Sequence, residues 1–476
     1  MSRLHPTAVI FSGFFLLGNL IILWGMLLPD MAKALNMAPA ISGVFFSLMS
    51  AGTIVGAIIG GKYVQRFHFL RLFAFLAITE SILLSLLSVV GNWQLLLPLI
   101  VLVGLTYSVM FTIGHTLIAR LFANKRAAMM GLMDFMFSLG TLTAPLWVVM
   151  LYWVLDDWRW PIRIIALCLL FVGLYSWQVA RMQPVLAGRS PSGGKSLSYI
   201  SVLRQPIFLL LLLVMVGYGA AEWGQGNWFV SYAVDGLGYQ AEDARLLLAW
   251  FTGGMVLSRL GFALLLRWLS SAQLMLLLGA FTVAGAFVVK LSNGSELLAL
   301  GNLLLGLGVG GLFPLMLSTA MDLDSDNGPV LSGIASIGSS IGFQFAGLLT
   351  GVWAQQAGIG QAFWLLPLLA LLNFTRVVPL VPVSAAIGTR LAAPAGNSIT
   401  SPALGLPAIT SVGARTSPSR AVRSKPRRAS PFPSSGVTCR MVTEILPSLS
   451  RATTSRASTG YRQGPGRWPV RRRRRP

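Results

Sequence analysis

Long apolar stretches, separated by short polar loops, follow one another from near the start of the chain to about residue 380. Each has about the 20 residues that a helix needs to cross the hydrocarbon core of a bilayer. The apolar residues run continuously rather than alternating, so the pattern favours membrane helices over the strands of a membrane barrel. We predict twelve helices, at residues 8–29, 41–62, 70–90, 94–118, 128–152, 161–182, 206–234, 244–268, 272–291, 297–320, 330–354 and 360–380.

The composition points to the same class of protein. Of the 476 residues, 55% are hydrophobic and only 11% are charged, which is more apolar surface than a water-soluble fold can bury. The two cysteines, Cys168 and Cys439, lie in an apolar run and in a polar tail, so no disulfide framework is indicated. The first apolar run is too long, and too soon followed by others, to be a cleaved signal peptide.

Lys and Arg are distributed unevenly between the two sets of loops, which predicts the orientation in the membrane. With the N-terminus inside, thirteen basic residues face the cytoplasm and five face outward. We therefore predict a multi-pass protein of the cell (inner) membrane with cytoplasmic N- and C-termini. The inner set is Arg3, Lys62, Arg66, Arg71, Arg120, Lys125, Arg126, Arg181, Arg189, Lys195, Arg204, Arg267 and Arg376, and the outer set is Lys33, Arg159, Arg163, Arg245 and Lys290.

The longest loop of this region divides the twelve helices into six and six. We predict a first bundle at 1–182, a cytoplasmic linker at 183–205 and a second bundle at 206–380. Residues 35–56 align without a gap on residues 237–258, with small and apolar residues at matching places. Two parallel six-helix halves are a recurring plan among secondary transporters, which bind their solute between the halves near the midplane.

The remaining segment, 381–476, differs sharply in composition. It holds 17 of the 36 Lys and Arg residues but one of the 14 acids, and it is rich in Ser, Pro, Ala and Thr. Such a segment cannot form a core, so we expect disorder. On the cytoplasmic face its charge would attract anionic lipid. A nucleic-acid role has no stacking platform or fold to support it. A third interpretation is a frameshift product, since the bias begins abruptly after helix 12.

The loop between helices 2 and 3 carries the first sign of a family. Residues 60–71 read GGKYVQRFHFLR, and the chain here resembles the major facilitator superfamily, whose signature is Gly-x-x-x-Asp-Arg/Lys-x-Gly-Arg/Lys-Arg/Lys. Gly61 and Arg66 fit that signature. Gln65 stands where Asp is usual and His68 where Gly is usual, so the match is degenerate.

Other stretches point to a branch of that superfamily. Residues 306–322 and 258–271 are similar to helix 10 and the end of helix 8 in the fucose:proton-symporter-like branch, and residues 104–146 are most similar to TsgA-like members. The resemblance covers about 8–380. It implies an all-α fold that works by alternating access, with helices 1, 4, 7 and 10 lining the cavity. Sugar transporters of this branch carry a carboxylate in helix 1, and predicted helix 1 has none, which argues against sugar–proton symport.

Glu222 is the main candidate for the transport chemistry. It lies near the middle of predicted helix 7, and at 100° per residue Tyr218, Glu222, Gln225 and Phe229 share one face. An ionisable residue at that depth costs about 2.5–3.5 kcal/mol on insertion scales and is a functional residue by default. Burial disfavours the charged form of a carboxylate. We expect a proton-coupling or substrate-binding group, and the alternative is a structural Glu that is hydrogen-bonded or kept protonated.

The neighbours of Glu222 admit two interpretations. Glycines weaken the helix, which suits a gate, or they allow close helix packing. Aromatic side chains could stack on a sugar or an organic cation, or they are ordinary packing and interface residues. Asn19 is the strong polar group of helix 1, whereas Glu80 in helix 3 has no clear role beyond a pair with a neighbouring helix. The glycines are Gly217, Gly219, Gly224 and Gly226, and the aromatic residues are Trp24, Tyr107, Trp223 and Trp228.

His115 in helix 4 and Asp134 in helix 5 lie at similar depth, about two turns from the same cytoplasmic loop. They could form a proton relay, because His titrates near neutrality. The favoured alternative is a structural pair at the inner gate that involves Arg120 or Arg66. Arg259 in helix 8 must be paired or reach the membrane surface, and we interpret it as a conformational latch.

Small residues recur at four-residue spacing in helices 2 and 11, which lets helices approach closely. These two helices belong to different halves, so we predict that the stripes form the surface on which the halves rock. Homodimerisation is the alternative. The stripes are Gly52, Gly56 and Gly60 in helix 2, and Gly338, Gly342, Gly347 and Gly351 in helix 11.

No pattern indicates an enzyme, a cofactor or a metal site. A nucleotide-binding loop is absent from the sequence, so ATP-driven transport by this chain is not expected. We predict a monomeric secondary transporter of a small solute, coupled to protons and embedded in the lipid bilayer, that does not bind nucleic acid. The alternatives are an efflux pump for amphipathic organic compounds and, from another class, a non-transporting receptor or scaffold.

Overall fold

The computed structural model describes residues 3–122, 125–182, 204–323 and 328–377. Within these ranges the chain is helical almost throughout. A 3-10 turn, Val64–Arg66, follows α2, a π-helical turn, Tyr232–Gly236, follows α7, and a single turn, Ile359–Ala362, precedes α12. The long helices are α1 (Leu4–Leu35), α2 (Pro39–Tyr63), α3 (Phe69–Leu87), α4 (Trp93–Leu121), α5 (Arg126–Tyr152), α6 (Arg159–Met182), α7 (Pro206–Ser231), α8 (Ala241–Leu265), α9 (Ser271–Leu291), α10 (Ser295–Leu323), α11 (Gly328–Ala357) and α12 (Leu365–Val377).

Two predicted segments fall largely or wholly beyond these ranges. The linker at 183–205 lies outside the described residues up to residue 203. The basic tail at 381–476, with the interpretations attached to it, lies outside them entirely. We call α1–α6 the first half and α7–α12 the second half.

The surface of the described helices is that of a membrane protein. Ten of them are long and apolar enough to cross a bilayer. The other two are α8, which carries four charged residues, and α12, which belongs to the shorter apolar stretch Ile359–Thr375. Large apolar side chains stand exposed on many helices, among them Phe75, Ile82, Leu95, Phe171, Leu174, Leu257 and Phe345. Exposure on this scale requires an apolar solvent. The chain is a multi-pass membrane protein, and the part of it that the structure describes is all-helical.

The first helix is longer than the sequence pattern predicts. It continues through Pro29 and ends at Leu35, where Asn36 adopts a left-handed conformation with a φ of 50°. A proline inside a membrane helix is tolerated when other groups satisfy the freed backbone. The carbonyl freed by the missing N–H of Pro29 is that of Gly25. The Arg245 side chain donates from Nε to the next carbonyl oxygen, that of Met26, at 3.3 Å. The extension brings Asp30 into α1, so the prediction that this helix has no carboxylate is wrong.

The internal repeat is visible in the packing of equivalent residues. A Cβ added to Gly52 would collide with the carbonyl oxygen of Val101 in α4, and one added to Gly254 would collide with that of Leu303 in α10. Gly254 and Leu303 each lie 202 positions after their counterparts. The same contact is therefore built twice, between α2 and α4 and between α8 and α10.

Five glycines of the predicted stripes pack within the halves and not between them. Gly52, Gly56 and Gly60 lie against α4, while Gly338 and Gly342 lie against α7. The prediction that these five residues form the inter-bundle surface is therefore wrong. Because these glycines already pack against other helices of the same half, their faces are not free to form a homodimer contact. Four-residue spacing identified tight helix contacts but not the neighbour that makes them.

A different face of α2 and α11 joins the two halves. A Cβ on Gly43 would lie 2.8 Å from the Gly347 carbonyl oxygen and 3.0 Å from Cα of Gly351. One turn further along α2, the Ser47 hydroxyl donates to the Gln344 carbonyl oxygen at 3.0 Å. Gly347 and Gly351 of the predicted stripe thus do lie at the boundary between the halves.

The first and seventh helices cross just as closely. A Cβ on Gly25 would collide with the Gly226 carbonyl oxygen, and it would lie 2.7 Å from Cα of Asn227. These crossings lie toward the loop between α1 and α2, residues 36–38, which we call the α1–α2 end. The two halves are therefore packed tightly against each other at that end.

Gly52→Leu should destabilise the protein strongly, because the new side chain meets α4 backbone that cannot move without opening the first half. Overpacking of this kind costs about 1–3 kcal/mol or more. Gly131→Leu is the matched control, since an added Cβ at Gly131 meets no atom within 4 Å. We expect a fall of several degrees in the melting temperature in detergent for the first variant and none for the control. Equal melting temperatures would contradict the packing at Gly52.

Candidate functional site

Glu222 lies in the interior of the molecule, on a continuous α7. The residue is 8% exposed, and its Oε1 lies 3.7 Å from the NH2 nitrogen of Arg259 in α8. That distance allows an ion pair but is longer than a hydrogen bond. A buried charge needs a partner, so the two side chains explain each other's presence at this depth.

The Arg259 guanidinium connects four helices. Its Nε donates to the Gly310 carbonyl oxygen of α10 at 3.4 Å, and its NH1 donates to the Ser138 hydroxyl of α5 in a short contact. Tyr218 of α7 has side-chain hydrogen bonding with both Glu222 and Arg259. Because Ser138 belongs to the first half and the other groups to the second, this cluster spans the boundary between them.

The face predicted for α7 is divided between two sets of partners. Tyr218 and Glu222 meet at the Arg259 guanidinium, whereas Gln225 is fully buried and donates from Nε2 to Asn302 Oδ1 of α10 at 2.6 Å. The side-chain Oε1 of Gln225 has no hydrogen-bond partner among the described residues. Gln225 thus fixes α7 to α10 one turn from the charged cluster.

The predicted aromatic neighbours of Glu222 point in other directions. Trp223 packs on Phe343 of α11, with ring centroids 5.0 Å apart, and Trp228 meets Phe46 of α2 edge to face at 5.8 Å. The second contact lies on the boundary between the halves. In these contacts, neither tryptophan ring packs on the Glu222–Arg259 cluster.

Asn19 is committed to its own half. Its side-chain amide donates to the Phe15 carbonyl oxygen at 2.9 Å, and its Oδ1 accepts a hydrogen bond from Trp147 Nε1 of α5 at 2.7 Å. The residue is almost completely buried. These contacts place Asn19 between α1 and α5, as a group that holds the two helices together.

Tyr107 in α4 lies within electrostatic range of Glu222, Arg259 and Glu80. Its ring stacks on Phe111 of the same helix at a centroid distance of 6.3 Å. Tyr107 therefore brings α4, from the first half, within electrostatic range of the charged cluster.

Glu80 is fully buried between α3 and α4. One oxygen accepts a short hydrogen bond from the Thr106 hydroxyl, and the other has no partner among the described residues. A carboxylate with one neutral donor and no cation is far cheaper to bury with its proton than without it. The expected pair with a neighbouring helix is thus formed with Thr106.

His115 and Asp134 form the predicted pair, with Nε2 and Oδ1 3.2 Å apart. The other ring nitrogen, Nδ1, lies 3.1 Å from the Phe111 carbonyl oxygen. Both ring nitrogens therefore face oxygen atoms. Both contacts can be hydrogen bonds when the pair holds one proton more than a neutral histidine and an ionised aspartate hold together, and that proton can lie on His115 or on Asp134. The predicted gate group does not stay together, since Arg259 joins Glu222 and Arg66 lies over the Tyr63 ring at 5.1 Å.

A second charged cluster, which the sequence pattern did not indicate, lies at the α1–α2 end. Arg245 of α8 is fully buried and forms a short ion pair with Asp30 of α1. Asp30 also accepts a hydrogen bond from Tyr152 of α5 at 3.0 Å, and Glu242 lies 3.7 Å from the guanidinium. The Tyr152 ring lies 4.0 Å below the guanidinium carbon. This cluster ties α8 of the second half to α1 and α5 of the first.

The glycines of α7 serve packing and do not break the helix. A Cβ on Gly217 would lie 2.8 Å from Cβ of Asn373 in α12, and one on Gly219 would collide with the Ser339 backbone of α11. The helix runs without interruption from Pro206 to Ser231. Of the two interpretations of these glycines, the packing one describes the geometry.

An apolar groove of about 360 Å³ lies elsewhere, between α1, α5 and α6. It contains no charged side chain, so it offers no group that would exchange a proton or hold an ionic solute. Its lining consists of Ser12, Phe15, Leu16, Met136, Cys168, Phe171 and Val172.

Comparison with known proteins places this architecture in a family. The chain is 20% identical over 362 residues to the TsgA homologue of Yersinia enterocolitica, which covers 76% of this chain and 91% of the relative. The TsgA homologue of Serratia proteamaculans is 19% identical over 365 residues, with the same coverage.

Two solved structures share the fold. The nucleoside transporter NupG superposes with a TM-score of 0.64 at 14% identity, over 82% of this chain and 99% of that one. A bacterial homologue of the human lysosomal transporter Spinster, in an inward-facing and unoccupied conformation, gives a TM-score of 0.63 at 14% identity, over 81% and 99%. The sequence profile of the Major Facilitator Superfamily matches residues 9–328, about two thirds of the chain. The chain therefore belongs to the Major Facilitator Superfamily, as a non-enzymatic secondary transporter that resembles the TsgA proteins.

Proposed function

We propose that this chain is a proton-coupled transporter of a small solute, in which Glu222 takes up and releases the coupling proton. The observation that carries the proposal is the position of Glu222. Its counter-ion, Arg259, also binds Ser138 of the other half. A proton on Glu222 weakens its attraction to Arg259, so the charge of one carboxylate acts on a contact between the halves.

Alternating access needs a conformation that is closed at one end only. The contacts that support a closed α1–α2 end are the Gly25–Gly226 crossing, the packing of Gly43 on α11, and the Asp30–Arg245 ion pair. With the orientation predicted from the basic loops, this end faces outward, so these contacts support a conformation that is closed on the outer side. The fold shared with the inward-facing Spinster homologue is in keeping with this assignment.

The remaining parts of the proposal follow from the sequence pattern. The protein crosses the cell (inner) membrane twelve times, as six-helix bundles at 1–182 and 206–380 joined by the linker at 183–205. Both termini are cytoplasmic. The functional unit is a monomer, because the close-packing glycines are used inside it.

The test is transport by the purified full chain in proteoliposomes, with a panel of nucleosides, sugars, carboxylates and amphipathic cations. Accumulation of a solute when the outside is made acid, and its loss when a protonophore removes the gradient, would support the proposal. Uptake that ignores the gradient would exclude proton coupling. Solute movement opposite to the protons would identify the efflux alternative instead.

Deleting residues 385–476 should leave membrane insertion and solute uptake unchanged. The described helices end at Val377, and the deleted sequence has no apolar periodicity that would add a span. Uptake per molecule, compared with the full chain at equal expression, checks this. A truncated protein that fails to insert, or that transports more slowly, would make the tail a working part of the transporter.

A further inference from the structure

The hydrogen-bonding capacity of the Arg259 guanidinium is only partly satisfied by the protein around it. Its Nε and NH1 donate to neutral acceptors, Gly310 and Ser138, and Tyr218 shares a hydrogen bond with it, while NH2 faces Glu222 across 3.7 Å without a hydrogen bond. The side chain keeps 21% of its surface exposed. The Arg259 side chain is therefore not fully enclosed by the protein around it.

When Glu222 takes up a proton, the guanidinium loses its counter-charge. A buried cation without an anionic partner is costly, and the protein supplies no other acid in the described contacts of Arg259. A planar guanidinium matches the geometry of a carboxylate, and one positive charge balances one negative charge. A dianion would leave an uncompensated charge in the same place.

The surroundings of this cluster suit an apolar or aromatic body attached to the anionic group. Tyr218 lies beside the ion pair, and its ring meets Phe313 of α10 at 5.6 Å. From the first half, Tyr107 and its neighbour Phe111 present a stacked pair of rings. We propose that the transported solute is a small monocarboxylate, which Arg259 binds while Glu222 carries a proton.

This assignment rests on the proposed function and adds the substrate class to it. The proton on Glu222 and the negative charge of the solute then cross together, so the loaded and empty cluster have the same net charge. Tyr218, Arg259 and Tyr107 are the titratable groups that face Glu222. Other charged groups on these helices and their neighbours lie farther along and include Asp30, Glu80, His115, Arg120, Asp134, Glu242, Asp243, Arg245 and Glu296.

The test measures protection of the purified full chain against thermal unfolding by lactate, pyruvate, benzoate and phenylacetate, with lactamide and benzamide as neutral counterparts. We expect at least one carboxylate to bind about tenfold more tightly at pH 5 than at pH 8, and neither amide to protect. Glu222→Gln should bind that carboxylate equally well at both pH values. Arg267→Gln, which removes an exposed charge just beyond α8, should behave like the wild type.

Arg259→Gln alone leaves Glu222 without its partner and can fail to fold, so the paired variant Glu222→Gln/Arg259→Gln is included. It should fold and lose carboxylate protection by at least about tenfold at both pH values. Protection of the paired variant at the wild-type level, or no protection of the wild type by any of the four carboxylates, would overturn the assignment. Gradient-driven uptake of a neutral solute would overturn it while leaving the proposed function intact. Carboxylate binding without gradient-driven uptake would do the reverse.

Discussion

Glu222→Gln should abolish proton-driven accumulation of the solute while leaving exchange of solute across the membrane in place. Glutamine has the size of a protonated glutamate but cannot release a proton. The variant can therefore still change conformation with solute bound, but a proton gradient cannot drive the solute uphill. With one proton per solute, a difference of two pH units, about 2.7 kcal/mol, supports roughly 100-fold accumulation. For the variant we expect accumulation near unity and counterflow exchange within a few-fold of the wild type.

Glu80→Gln is the matched control, because it makes the same chemical change at another fully buried carboxylate. Glu80 lies between α3 and α4, with Thr106 as its partner, and no contact links it to the second half in the described structure. This variant should accumulate solute normally. Loss of both activities in Glu222→Gln would mean that the carboxylate holds the solute directly, and surviving accumulation would reduce Glu222 to a structural residue.

Glu222 could be identified as a candidate from the sequence, because the evidence for it lies within a single segment of the chain. A charged residue in the centre of a long apolar run has one set of explanations, whatever the run packs against. Its partner was not predictable, since Arg259 lies 37 positions later on another helix and only the packing of α7 on α8 brings the two together. The position of the acid is a property of one helix, whereas the ion pair is a property of two.

The glycine stripes show the limit of the same reasoning. Spacing of four residues identifies a helix face without side chains, and both predicted helices do pack closely there. Each of these helices has one neighbour in its own half and another across the boundary. Gly52 and Gly56 meet the first, and Gly43 meets the second. Nothing in the spacing distinguishes the two.

The cluster around Asp30 and Arg245 was not predicted because both residues lie at the edges of the predicted helices. The apolar pattern ends helix 1 at residue 29 and leaves Asp30 in a loop, and the distribution of basic residues places Arg245 among the outer cations. The repeat alignment held an unused signal, because it sets Arg245 opposite Gly43. In the structure, both equivalent positions lie where one half meets the other.

Asp30→Asn should open the α1–α2 end of the transporter. Arg245 is fully buried, and Asp30 is its ion-pair partner from the other half. Removing one partner of a buried ion pair costs about 3–5 kcal/mol. Asp30 is 32% exposed and Glu242 remains at 3.7 Å, so we expect the lower part of that range. A change of 1.4 kcal/mol already shifts the balance between closed and open forms about tenfold.

The shift can be measured at Ser47, which is buried where α2 meets α11. In a background without Cys168 and Cys439, Ser47→Cys should react slowly with a membrane-impermeant maleimide added outside, and at least about tenfold faster when Asp30→Asn is added. Asp157→Asn is the control, because it breaks the ion pair with Arg159, at 3.4 Å, inside one half. Labelling that Asp30→Asn leaves unchanged, or that Asp157→Asn raises equally, would show that the Asp30–Arg245 pair does not hold this end closed. Faster labelling in Asp30→Asn alone would identify that pair as the latch against which the proton on Glu222 has to work.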